Sequence, residues 1–144
     1  MANDLTLKTY DPKKVTITLG PILVVGFMSG TFFNATTGEA FELVVGADGT
    51  TNRVNKNVTS KEVTITIMQT SITNDLFMVQ HLLDKETNAG VLPLTVKDGS
   101  GTSLFFSPYA YIMCEPDITY SDGIEGREWK LTCAQTVTYI GGNV

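Results

Sequence analysis

Few side chains in this 144-residue sequence are of the types that chemistry usually requires. The only histidine, His81, falls beside Leu82 in a helical pattern, and it reads as a surface or core-edge imidazole because a general base needs an orienting partner. The two cysteines, Cys114 and Cys133, are 19 residues apart with no histidine near either, which is not a metal-ligand spacing. Each sits inside an apolar strand pattern and is read as a buried free thiol. Glu115 and Asp117 flank Pro116, where acids are ordinary solvated turn residues rather than a catalytic pair. The stretch GADGTTNRVNKN, residues 46–57, has acids and glycines but lacks the spaced carboxylates and terminal glutamate of a calcium loop. No P-loop, nucleophile-elbow G-x-S-x-G or dinucleotide G-x-G-x-x-G pattern occurs. The residues therefore propose neither an enzyme nor a resident cofactor or metal, and they direct attention to structure and binding.

The elements that hold these residues are mostly strands. Val15 to Leu19 and Val63 to Ile67 alternate aliphatics with threonines, the pattern of half-buried strands in an antiparallel sheet. Phe41 to Val45, Val91 to Val96, Leu104 to Phe106 and Tyr109 to Cys114 are further strands, and Pro93 marks an edge or a strand start. Gly46 and the Asp-Gly pairs at 48–49, 98–99 and 122–123 supply turns. One segment changes period. With Thr73 or Asn74 as N-cap, Asp75 to about Glu86 places Leu76, Val79, Leu82 and Leu83 at helical spacing, with Leu76, Val79 and Leu83 expected to face the core. That helix is expected to end near Asn88-Ala89-Gly90, where Asn or Gly takes a left-handed conformation, and its Asp84, Lys85 and Glu86 face water.

The C-terminal run REWKLTCAQTVTYIGG is the longest alternating stretch. Read as one strand, it puts Trp129, Leu131, Cys133, Val137 and Tyr139 on a core face and Glu128, Lys130, Thr132, Thr136 and Thr138 on a wet one. Such a strand would exceed the usual length of about 5–6 residues. The expectation is a single mainly β domain over residues 1–144, antiparallel and sandwich- or barrel-like, with one helix.

Composition narrows the partners. The formal net charge is −5, from 15 acidic and 10 basic residues, and no cationic run exceeds Lys13-Lys14. Tight, sequence-independent binding to a phosphate backbone needs clustered cations, so specific nucleic-acid binding is not expected. The longest apolar stretch, Pro21 to Met28, is far short of the roughly 20 residues a membrane helix requires. The Met-Ala-Asn-Asp start has neither a basic n-region nor an apolar h-region, which points to a reducing cytoplasm and leaves the Asn34 and Asn57 sequons without a secretory context.

The ordered string YDPKKVTITLG, FELVVGADGTTNRVNKN, SKEVTITIMQTSITNDLF, LTVKDGSGTSLFF, and the closing REW.L.C with IGGN, running from Tyr10 to Asn143, resembles the tail tube proteins of contractile-tailed bacteriophages. The resemblance implies a β-barrel-like sandwich with one helix, assembled as hexameric rings that stack helically into a hollow tube. DNA would pass through that tube during ejection without specific binding. It further implies a virion subunit assembled in the host bacterial cytoplasm, with tail sheath, initiator and terminator proteins as partners. Combined with the wet strand faces, it makes Thr16, Thr18, Glu42, Thr64, Thr66, Glu128, Lys130, Thr132, Thr136 and Thr138 candidates to line the lumen. The alternative is an ordinary solvent-exposed sheet. A polar loop at about 46–60, carrying Asp48, Arg53 and Lys56, is expected to project toward an adjacent subunit. The competing function is a β-sandwich binding or decoration module of a virion, with Tyr109, Tyr111 and Tyr120 as candidate site aromatics.

Overall fold

A computed structural model of the chain describes residues 7–143, so the Met-Ala-Asn-Asp start lies outside the described residues. After a 3-10 turn at Pro12–Lys14, the chain forms β1 (Val15–Leu19), β2 (Ile22–Leu23), β3 (Phe33–Thr36), β4 (Phe41–Val45), β5 (Thr51–Asn55) and β6 (Lys61–Met68). Helix α1 (Thr73–Thr87) follows, then β7 (Leu92–Asp98), β8 (Leu104–Cys114), β9 (Gly126–Ala134) and β10 (Val137–Tyr139). The main sheet is antiparallel in the order β2-β1-β7-β8-β9-β6-β3, with β10 added to β8, while among the described residues β4 and β5 pair only with each other. The mainly antiparallel β class with a single helix is the one expected.

The main sheet rolls up because the chain between β2 and β3 crosses from one margin to the other. The Val24 N–H donates to the Ile17 carbonyl, the Met68 N–H to the Gly26 carbonyl and the Met28 N–H to the Thr66 carbonyl, and Phe27 bridges Ile67. Residues 22–28 thereby join β1 to β6, giving a barrel-like wrap with one dry and one wet face. Alternation fills the dry face with Ile17, Leu19, Val63, Ile65, Ile67, Leu94, Ile112, Trp129, Leu131 and Cys133. Phe77 of α1 closes one end, its ring meeting Trp129 edge to face at 5.4 Å. The Trp129 indole N–H donates to Asn74 Oδ1 at 2.9 Å, so the large ring is buried without an orphaned donor.

Several expectations are corrected. The helix begins at Thr73, after Ile72 and without a side-chain cap, because the polar residues proposed as caps are used elsewhere. Thr73 Oγ1 accepts the Val25 N–H at 3.0 Å, and the Asn74 amide donates to the Met68 carbonyl at 2.9 Å. Its inward face is Thr73, Phe77 and His81, spaced four apart, so His81 is buried while Leu76, Val79, Leu82 and Leu83 are exposed. Apolar residues occur on both sides of α1, and side-chain size decides the register because Phe77 fills the barrel end. The C-terminal run is two strands: Gln135 adopts φ 51°, ending β9 and turning β10 from the β9 line onto β8, and it leaves Val137 and Tyr139 exposed. The two strands expected at 104–106 and 109–114 are one, β8, with a bulge at Pro108 and Tyr109, where two β8 residues face one of β7. Pro93 is the second residue of β7, opposite that bulge, as a strand start requires. Cys114 is exposed rather than buried, and Cys133 is buried as expected. Asn88, with φ 59°, terminates the helix as expected.

Candidate functional site

The candidate wet-face residues separate into distinct groups. Antiparallel register sets Thr64 opposite Lys130, Thr66 opposite Glu128, and Glu62 opposite Thr132. Asn34 and Thr36 of β3 extend this patch on one side, and Tyr111 of β8 faces Thr132 on the other. Thr64, Thr66, Glu128, Lys130 and Thr132 therefore share one outer wall of hydroxyls and alternating charge. Thr16 and Thr18 lie opposite Lys97 and Thr95, separated from that wall by β7 and β8 one way round the barrel and by residues 22–28 the other. Thr136 donates its hydroxyl to the Thr59 carbonyl at 3.0 Å, and Thr138 accepts the Lys61 ammonium at 2.9 Å, so both fix the β9–β10 corner. Glu42 belongs to neither wall, because β4 lies outside the main sheet.

The segment expected to be a polar loop, about 46–60, contains the tip and the return strand of a hairpin arm. Phe41 faces Asn55, Leu43 faces Arg53 and Val45 faces Thr51, which places the arm's tip at residues 46–50. The tip is pinned by Gly46 N–H to the Thr50 carbonyl at 2.7 Å and Thr50 N–H to Asp48 Oδ1 at 3.0 Å. Hydrogen bonding from the Thr50 backbone and then its side chain holds the Asp48 carboxyl below its ordinary range, and Gly49 supplies the φ of 89° that closes the turn. Lys56 N–H donates to the Ala40 carbonyl at the root. Phe41, Leu43 and Val45 line one face, with Arg53 4.4 Å from the Phe41 ring centre, and Val44 and Val54 line the other. Leu43 is 67% exposed and both strands are exposed throughout. An isolated two-stranded hairpin is marginal in water, and one with apolar residues on both faces needs a partner to cover it.

The histidine and the two thiols are not brought together among the described residues. His81 is buried on the inward face of α1 with no hydrogen-bond partner at Nδ1 among the described residues. Burial pushes the Cys133 thiol up to about 11, against a smaller opposing effect of Ser107, so it stays protonated near neutrality. Cys114 Sγ donates to the Glu115 carbonyl at 3.3 Å. Glu115 and Asp117 do meet Glu125, Glu128 and Lys130 around a shallow polar cleft. Among the described residues, no group of three or more His, Cys, Asp or Glu is placed to hold a metal. Tyr109 and Tyr111 lie on β8, whereas Tyr120 lies in the β8–β9 connection.

Sequence reasoning missed two surfaces. The outer strip of α1, with Leu76, Val79 and Leu83, was assigned to the core, although the larger Phe77 offers a competing register. Ile118 and Tyr120 in the β8–β9 connection, each 77% exposed, are signalled only as apolar residues within an acidic, turn-rich stretch.

Comparison with known proteins adds the following. No protein-family model matches the chain. The structural protein ORF10 of Pseudomonas phage KPP10 is 31% identical over 144 residues, covering 94% of this chain and 83% of that protein. The cryo-EM structure of the anti-feeding prophage cap, described as a tube terminating cap, aligns with a TM-score of 0.59 at 11% identity, covering 93% of each chain. At that identity the second likeness concerns the fold alone.

Proposed function

Since the chain belongs to the family of bacteriophage structural proteins that includes its KPP10 relative, we propose that it is a tail tube subunit, polymerising as stacked hexameric rings into the inner conduit for DNA. The observation that carries this reading is the β4–β5 arm, an extended hairpin with apolar side chains on both faces and no further strand paired to it among the described residues. A second copy offers the cover it lacks, and the arm residues Asp48, Arg53 and Lys56 are then inter-subunit contacts. The likeness of fold to a protein that caps a tube supports the same direction. In this reading the Thr64, Thr66, Glu128, Lys130 and Thr132 wall is the candidate lumen surface, and Thr16 and Thr18 belong to a separate surface. A wall of hydroxyls with one acid and one lysine gives DNA few cations to hold, since retention on phosphates requires counterion-releasing arrays. Sheath, initiator and terminator proteins are the further partners, and the virion tail, built in the host bacterial cytoplasm, is the location.

The test is negative-stain electron microscopy of the purified chain over a concentration range, with sedimentation, alone and with preformed tail initiators. Hollow tubes or stacked rings are expected. A defined small oligomer that does not elongate even on initiators would overturn the reading in favour of a binding or decoration module.

A further inference from the structure

One end of the barrel is closed by Phe77, but the other is an apolar mouth. Phe33 and Ala35 of β3, Val96 of β7, and Leu104 and Phe105 of β8 surround it, with Phe33 and Phe105 edge to face at 6.0 Å. Its cation is Lys61, the first residue of β6, whose ammonium lies 5.8 Å from the Phe105 ring centre. The Asp98 carboxylate at the mouth already accepts the Ser100 N–H at 2.9 Å. The rim is formed by β3 and β10, margins of the sheet that carry no further strand among the described residues.

At the opposite end of β6, roughly 23 Å away at about 3.3 Å per residue, stands the β8–β9 connection. It is tied to the residue after β6 in both directions, Gln69 N–H to the Glu125 carbonyl at 3.0 Å and Glu125 N–H to Gln69 Oε1 at 3.1 Å. The buried Arg127 donates to the Thr119 carbonyl at 3.0 Å and lies 5.2 Å from the Tyr120 ring centre. Ile118 and Tyr120 are thus presented outward on a supported loop, and Asp117 and Asp122 flank them.

We propose that Ile118 and Tyr120 of one copy enter the Phe33–Phe105 mouth of the next, joining copies head to tail. Two unlike surfaces at opposite ends of one strand make a heterologous contact, which repeats without closing when successive copies are displaced along that strand. The acids beside the apolar pair meet Lys61, so the contact matches in charge as well as in polarity. This contact rests on the self-assembly reading above but is independent of the β4–β5 arm.

The test uses the full chain in a Cys114→Ser background with Ile118→Cys and Tyr139→Cys, Tyr139 being an exposed residue at the mouth. Mild oxidation followed by a non-reducing gel is expected to give a ladder of dimers, trimers and longer products, with micrographs taken of the same sample. Either cysteine alone should leave the chain monomeric on the gel, because the contact sets unlike residues together. Lys61→Glu should reduce the ladder, and Asp117→Lys added to it should restore it. Tubes without a ladder overturn this contact and leave the tube reading standing. A ladder without tubes supports the contact and counts against the tube reading. Neither tubes nor ladder overturns the contact.

Discussion

Cys114 and Cys133 lie on neighbouring strands in opposite surroundings, one exposed and one enclosed. At neutral pH a chromogenic thiol reagent should titrate one thiol per native chain and two after denaturation, and Cys114→Ser should abolish the native reaction. The raised Cys133 value also gives stability a sign at alkaline pH. Between its ordinary 9.0 and about 11 the unfolded chain loses this proton while the folded chain keeps it, so the unfolded state binds fewer protons and stability falls as pH rises. Below 9.0 this contribution is fully present. Urea unfolding across that window should show a steeper loss in the wild type than in Cys133→Ala. Gly26 tests barrel closure at the same scale. It holds φ 76°, and an added Cβ would stand 2.7 Å from Ser71 Oγ, whose hydroxyl donates to the Val25 carbonyl. Gly26→Ala should destabilise the chain by at least about 1–2 kcal/mol in urea unfolding, since the left-handed region disfavours a Cβ even before the clash is counted.

Helix α1 has two apolar sides with different tasks, and mutation separates them. Phe77→Ala should cost about 3–5 kcal/mol by emptying the barrel end, whereas Val79→Ala, at 66% exposed, should change the stability of the isolated chain by no more than about 0.5 kcal/mol. Equal losses in chemical denaturation would mean that the helix docks in the other register. The strands were legible because a period of two has only two phases, and Ile17, Ile65 and Leu131 could fall only on the dry face. The helix was less legible because its aliphatics outnumber the one phenylalanine that fits the barrel end. The C-terminal corner was illegible for another reason: Gln135 takes a left-handed conformation without being Gly, Asn or Asp, so nothing in its residue type announces the turn. Gln135→Gly should be tolerated, while Gln135→Val should destabilise by about 1–2 kcal/mol in the same assay. In the arm, Phe41 to Val45 read as a strand, but its partner Thr51–Asn55 is polar and carries no period-two apolar signal. The candidate wall was legible only as faces; the grouping of Thr64 with Lys130 and the exclusion of Thr16 depend on strand order, which alternation does not encode.

At the scale of the molecule, the barrel and the arm divide the work of folding and association. The arm has its own register and its own tip, and it supplies none of the buried core. Replacing residues 39–57 with a short Gly-Ser turn should leave the cooperative unfolding transition of the barrel in place while abolishing tubes in micrographs. Retention of tubes of unchanged length would refute the arm's role in assembly. The enclosed Trp129 has a practical consequence of a different kind. It is the only tryptophan, 2% exposed, and it sits against Phe77 with its N–H held by Asn74, enclosed in the barrel interior. Its emission therefore reads the integrity of the barrel interior and is blind to neighbours joining outside. In one cuvette, rising light scatter at constant emission colour would mark growth, and a red shift would mark opening of the fold, so polymer and precipitate become separable by optics alone.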